Sequence, residues 1–123
     1  MQGLHLTADL RGCDPQSPLM LDPEALGRLC RDAVQAAGLG AVAELFHRFE
    51  VAPGCEQSGI TGVVLLAESH LAIHTWPELG GVTLDVYVCN LVGDNSASAK
   101  RLMQLLCDAF APRERREQRL LRG

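Results

Sequence analysis

The stretch from residue 60 to residue 89 leaves the chain its least freedom. It reads as three strands in succession. Ile60–Leu66 is an apolar, β-branched run suited to a buried strand, and in residues 70–76 and 82–88 apolar and polar side chains alternate. Ser69 opens the second strand beside a tight connection, and residues 77–81, with Pro77 and Gly81 at their ends, turn into the third. Connections this short join antiparallel neighbours, because a parallel crossover takes a dozen residues or more.

The rest of the chain must cover that sheet. Leu4, Leu6, Ala8 and Leu10 alternate with His5, Thr7 and Asp9, which predicts another half-buried strand, and residues 12–23, with Pro15 and Pro18, read as a loop. Asp22-Pro23 predicts a capped helix start. From there Leu26, Leu29, Cys30, Ala33, Val34 and Ala37 recur at helical spacing until Gly38 and Gly40 stop the helix. Residues 41–49 predict a strand. A second helix, with Asp94, Asn95 or Ser96 as its cap, turns Ala99, Leu102, Leu105, Leu106, Ala109 and Phe110 inward and ends at Pro112. The tail through Leu120-Leu121 reads either as a short strand or as a loose segment. The expected fold is α+β: a two-layer sandwich, an antiparallel sheet with two helices on one face. With 123 residues, 47% of them hydrophobic, the chain is expected to be one domain with one core.

Composition narrows the function classes. A net charge of -4 gives no reason to expect nucleic acid or an anionic membrane as partner. Five arginines between residues 113 and 122 stand against Glu114 and Glu117, but no aromatics interleave, so the segment reads as solvated. Five cysteines without a CxxC pair speak against a metal site and suit free thiols in a reducing cytoplasm. No basic start, signal-type apolar run or membrane-length segment is seen in the sequence.

Chemistry concentrates in residues 68–78, ESHLAIHTWPE, which hold a serine, two histidines, two carboxylates and the only tryptophan. On a strand, His70, Ala72, His74 and Trp76 point one way and Leu71, Ile73 and Thr75 the other. If the second set meets the core, the histidines face a cleft or an interface. Cys89 ends the next strand, and an antiparallel hairpin is expected to bring its thiol back toward Ser69 and His74. Taken singly, Ser69 would be a turn serine, and His70 and His5 structural or surface residues. Trp76 would be packing, and Cys13, Cys30, Cys55 and Cys107 structural thiols.

Together with GLHLTAD near the start, FHRF at 46–49, TGVVLLAE before Ser69 and LDVYVC at 84–89, this segment resembles the short prokaryotic S-adenosylmethionine decarboxylase proenzymes over nearly the whole chain. The resemblance implies that Ser69 attacks the Glu68 carbonyl, forming an ester that eliminates to leave a pyruvoyl group. His74 would take the Ser69 α-proton. The products would be a β chain of residues 1–68 and an α chain of residues 69–123. The pyruvoyl, with neither pyridoxal phosphate nor a metal, would form a Schiff base with the substrate amine and accept the electrons released with carbon dioxide. Cys89 would then protonate the α-carbon, Glu78 bind the ribose hydroxyls and Phe49 stack on adenine. Cleaved protomers would pair as a homodimer, with Phe49 reaching toward a site whose pyruvoyl belongs to the partner.

The chain departs from the family pattern in three places. Thr61 stands where the family has a serine that supports processing, and Leu10-Arg11 where an aromatic completes the adenine sandwich. The loop between Phe49 and Thr61 is longer. The expected product is the aminopropyl donor for spermidine. The alternative is the same machinery acting on L-ornithine or L-arginine to give putrescine or agmatine, with Asp9, Asp14, Glu50 and Glu56 as candidates for the distal cation. A third reading, an uncleaved non-catalytic binding subunit, sits poorly with the joint presence of Ser69, His74, Cys89 and Glu78.

Overall fold

In the computed structural model, which describes residues 2–123, this alternation becomes a six-stranded sheet of order β2-β3-β4-β5-β1-β6. The strands are β1 (Gly3–Arg11), β2 (Ala41–Arg48), β3 (Ile60–Leu66), β4 (Ser69–Trp76), β5 (Gly81–Cys89) and β6 (Glu114–Arg122). Every neighbouring pair runs antiparallel. Helices α1 (Pro18–Leu21), α2 (Pro23–Ala36) and α3 (Ser96–Phe110) lie on one face.

The alternation decides which side each residue serves. Leu71, Ile73 and Thr75 of β4 are buried under the helices, as are Val82, Leu84, Val86 and Val88 of β5. Their neighbours His70, Ala72, His74, Thr83, Asp85, Tyr87 and Cys89 stay half-exposed on the other, open face. Burying each core Leu or Ile contributes roughly 1.5–3 kcal/mol. Thr75 is the polar exception in the core. Its Oγ1 accepts from the Ile60 amide and donates to the Met20 carbonyl, both at 2.9 Å, so the hydroxyl is satisfied.

The helix signals hold at α2. Asp22 caps it by accepting from the Glu24 amide at 3.0 Å, and Gly38, at φ +80°, turns the chain out of it. Four details differ from the sequence reading. Residues 12–23 contain a single helical turn, α1, which drives Met20 into the core. The connection after Trp76 is a 3-10 turn (Pro77–Leu79) closed by Gly80 at φ +60°. Helix α3 buries Met103 beside Cys107, leaves Ala109 exposed and packs Leu105 only partly against the core, because the set 99, 102, 103, 106, 107, 110 follows the helical stripe more closely. The tail is neither short nor loose: β6 pairs with β1 over nine positions as a fully exposed edge strand.

Candidate active site

Ser69 sits where β3 turns into β4. Leu66 pairs with Ser69, so only Ala67 and Glu68 make the turn. Glu68 holds φ +55°, a left-handed conformation that costs a side-chain-bearing residue about 1–2 kcal/mol. The peptide bond that follows it is the Glu68–Ser69 bond. The Ser69 Oγ accepts a 3.1 Å hydrogen bond from the backbone amide of Cys89. The hairpin thus brings the end of β5 back to the start of β4, as its register requires, with His70 opposite Tyr87.

Cys89 is half-buried, unlike Cys13, Cys30 and Cys107, which are buried. Burial pushes the Cys13 thiol up, the Cys30 thiol up to about 12 and the Cys107 thiol up to about 11, so all three stay protonated and inert. Cys55 is exposed in the loop after Phe49.

His74 is elsewhere. It lies five residues along β4 from Ser69, about 16 Å at the usual strand rise, and on the opposite side of the alternation. Against the expectation that the hairpin draws the Cys89 thiol toward both Ser69 and His74, it brings the Cys89 backbone amide to Ser69 and keeps Cys89 away from His74. The register sets Thr83, not Cys89, opposite His74. The neighbours of His74 are Thr61, whose Oγ1 shares a 2.7 Å hydrogen bond with the ring Nδ1, and Trp76, with ring centroids 5.9 Å apart. Beside them the open face carries a hollow of about 160 Å³ walled by Leu45, Val63 and Ala72.

Glu78 is exposed in the 3-10 turn that follows, at this same end of the sheet. Phe49 joins it from the end of β2, 53% exposed, its ring set edge-on to His47 at 5.0 Å. Its amide donates to the Gly59 carbonyl at 3.1 Å, and its carbonyl accepts from the Ser58 hydroxyl. The two ends of the sheet therefore carry separate clusters: Glu68, Ser69 and Cys89 where β3 turns into β4, with Ser69 on the helix side of the alternation, and Phe49, Thr61, His74 and Glu78 at the other end.

Leu10 is buried under the helices, and Arg11 lies on β1, four strand spacings from β2 or about 19 Å from the Phe49 edge. Within one protomer the two positions cannot enclose the same ring. Asp9, Asp14, Glu50 and Glu56 are exposed and do not gather around Ser69.

Several residues near Ser69 had no separate signal in the sequence. His5 Nε2 pairs with Asp85 Oδ1 at 3.1 Å across β1 and β5, and Tyr87 packs between His5 and His70. The Arg122 guanidinium lies over the Tyr87 ring at 5.5 Å. Asn95, read only as a possible helix cap, donates from its side chain to the Cys89 carbonyl at 2.9 Å. Strand order, which alternation does not reveal, is what brings these residues together.

Comparison with known proteins gives one consistent answer. A family model described as S-adenosylmethionine decarboxylase matches residues 4–123. The chain is 37% identical over 110 residues to the S-adenosylmethionine decarboxylase proenzyme of Picrophilus torridus, spanning 89% of this chain and 75% of that one. It is 35% identical over 121 residues to the proenzyme of Archaeoglobus fulgidus, spanning 98% and 97% respectively. The crystal structure of the adenosylmethionine decarboxylase from Aquifex aeolicus superposes with a TM-score of 0.83 at 38% identity, over 98% of this chain and 90% of that one. None of these descriptions names ornithine or arginine.

Proposed function

The chain belongs to the S-adenosylmethionine decarboxylase family, and we propose that it is a proenzyme that cuts itself at Glu68–Ser69 and then decarboxylates S-adenosylmethionine. The observation that carries the self-cutting is the turn itself. A left-handed Glu68 precedes a serine whose Oγ is held by the Cys89 amide.

The chemistry follows from these positions. Attack of Ser69 Oγ on the Glu68 carbonyl exchanges the amide for an ester and lets Glu68 leave its strained conformation. Loss of the Ser69 α-proton then expels the Glu68 carboxylate, and His74 is the base we assign. Thr61 holds the His74 ring at Nδ1 and leaves Nε2 free to take the proton. The pyruvoyl group formed from Ser69 supplies the electron-accepting carbonyl needed for loss of carbon dioxide. Cys89, beside it and only half-buried, holds the proton for the α-carbon. Phe49 offers an exposed aromatic face to the adenine, and Glu78 a carboxylate to the ribose hydroxyls.

A base must come within hydrogen-bond reach of its proton, so His74 cannot serve the Ser69 of its own chain. A homodimer resolves this. When two open faces pack with a two-fold axis between them and across the strands, the ends of the sheets are exchanged. The Thr61–His74 end of one protomer then meets the Ser69–Cys89 end of the other. The apolar Leu45, Val63, Leu65 and Ala72 on that face supply surface for such packing, and sheets stack about 10 Å apart. Five free cysteines suit a reducing cytoplasm, and no described helix is long and apolar enough to cross a membrane.

Two measurements test this reading. On a denaturing gel the protein should resolve into a chain ending at Glu68 and one whose amino terminus resists sequencing, whereas Ser69→Ala stays whole. The processed protein should release labelled carbon dioxide from S-adenosylmethionine. Release from ornithine or arginine alone would refute the substrate assignment while leaving the cleavage intact.

A further inference from the structure

Asn95 occupies the N-cap of α3 but does not cap it: its side chain accepts nothing from the helix amides. Asparagine is favoured at that position because its oxygen satisfies such an amide. Here Asp94 Oδ1 accepts from the Ser96 amide at 2.9 Å, and the Asn95 amide group is turned the other way, onto the carbonyl of Cys89 at 2.9 Å. Asn95 is itself held, since its backbone amide donates to Asn90 Oδ1 at 2.7 Å. Asn90 in turn donates to Ser96 Oγ at 3.1 Å and, from its backbone, to the Gln2 carbonyl at 2.8 Å.

In the precursor Cys89 is thereby fixed at both ends of its backbone. Its amide meets Ser69 Oγ at 3.1 Å and its carbonyl meets Asn95. Once maturation carries Ser69 Oγ away, the Asn95 bond is the one that remains. The loop between them leaves Leu91 and Val92 exposed, so these side chains contribute little packing to hold the strand end. The hydrogen bonds do that instead.

We infer that Asn95 is the positioning residue for Cys89, setting where its thiol delivers a proton. The inference rests on the proposed role of Cys89 as proton donor. After carbon dioxide leaves, two carbons compete for the proton. At the substrate's α-carbon it gives the decarboxylated amine. At the carbon that began as the pyruvoyl ketone it leaves the amine nitrogen on the protein, and water then releases an aldehyde and an amino-terminal alanine. The two carbons lie two bonds apart, so a shift of about 1 Å in the thiol changes which is served.

Asn95→Asp is the decisive variant, because it keeps the shape and removes the donor to the Cys89 carbonyl. In the matured full chain turning over S-adenosylmethionine, amino-terminal alanine per carbon dioxide released should rise about fivefold, the factor one hydrogen bond sets. KM should stay unchanged. A second readout needs no matured enzyme. In an uncleaved chain carrying Ser69→Ala and Cys55→Ser, Asn95→Asp should speed alkylation of Cys89 by iodoacetamide by a similar factor.

Cys89→Ala should raise the alanine yield further. If it does and Asn95→Asp moves neither alanine nor alkylation, the positioning role is overturned and Cys89 keeps its place. A shifted melting temperature with both chemical readouts at the wild-type level would likewise reduce Asn95 to a structural residue. If Cys89→Ala yields no more alanine than the wild type, the thiol is not the donor, and the inference falls with that reading.

Discussion

If His74 is the base that matures the partner's Ser69, two defective chains should repair each other. The 16 Å or so between His74 and Ser69 along β4 is about five times the separation across which a side chain can take a proton. A chain with Ser69→Ala has the base and no nucleophile, and one with His74→Ala has the nucleophile and no base. Each alone should stay whole. Coexpressed at equal levels and pairing at random, about half of the dimers contain one of each. A mixed dimer has one complete site, made of Ser69 from the His74→Ala chain and His74 from the Ser69→Ala chain, and one site lacking both. About half of the His74→Ala chains should therefore be cut, and none of the Ser69→Ala chains. Different tags on the two chains let a denaturing gel read the two populations separately. Absence of cutting in the mixture, with mixed dimers shown by pull-down, would refute the exchanged-end dimer. Wild-type cutting by His74→Ala alone would remove the base itself.

Three further outcomes are expected. Glu68→Gly accepts φ +55° without strain, so the precursor should gain about 1 kcal/mol, a melting temperature some 4 °C higher, and cut itself about fivefold more slowly; unchanged cutting would mean the strain takes no part. Thr61→Val keeps the branched shape but loses the 2.7 Å bond to His74 and should slow maturation about fivefold, whereas Thr61→Ser should mature normally. Phe49→Ala should raise KM for S-adenosylmethionine roughly tenfold or more, as loss of a stacking partner costs about 1–3 kcal/mol, and should leave the maturation rate of the precursor alone.

What was legible in the sequence depended on how local the cause was. Strands β3 to β5 announce themselves because alternation and short turns act within a few residues. So does α2, through Asp22, Pro23 and Gly38. Strand β6 gives no such sign. Arg115, Arg116, Glu117 and Arg119 have little intrinsic preference for strand and present no apolar face, and all nine residues of β6 are exposed. It forms because β1, from the opposite end of the chain, offers a free edge, and its charges keep that edge from recruiting other strands. Helix α1 is similar: Met20 is tied in by a hydrogen bond from Thr75, 55 residues away.

The candidate site divides along the same line. Residues paired across a hairpin lie equally far from its turn. Ser69 and Cys89 are both at the far end from the 3-10 turn at Pro77–Leu79, and the structure joins them through the Cys89 amide. By the same count His74, near that turn, falls opposite Thr83. One hairpin cannot hold Cys89 against both Ser69 and His74. Expecting it to do so credits a single chain with contacts that strand geometry forbids. The same count, which sets Cys89 one position beyond the residue opposite Ser69, leaves His74, Thr61, Phe49 and Glu78 at the other end of the sheet with nothing of that chain's Ser69 within reach. If all of these residues act in one reaction, a second copy of the chain is a requirement of the chemistry, and the open face of the sheet is where it must bind.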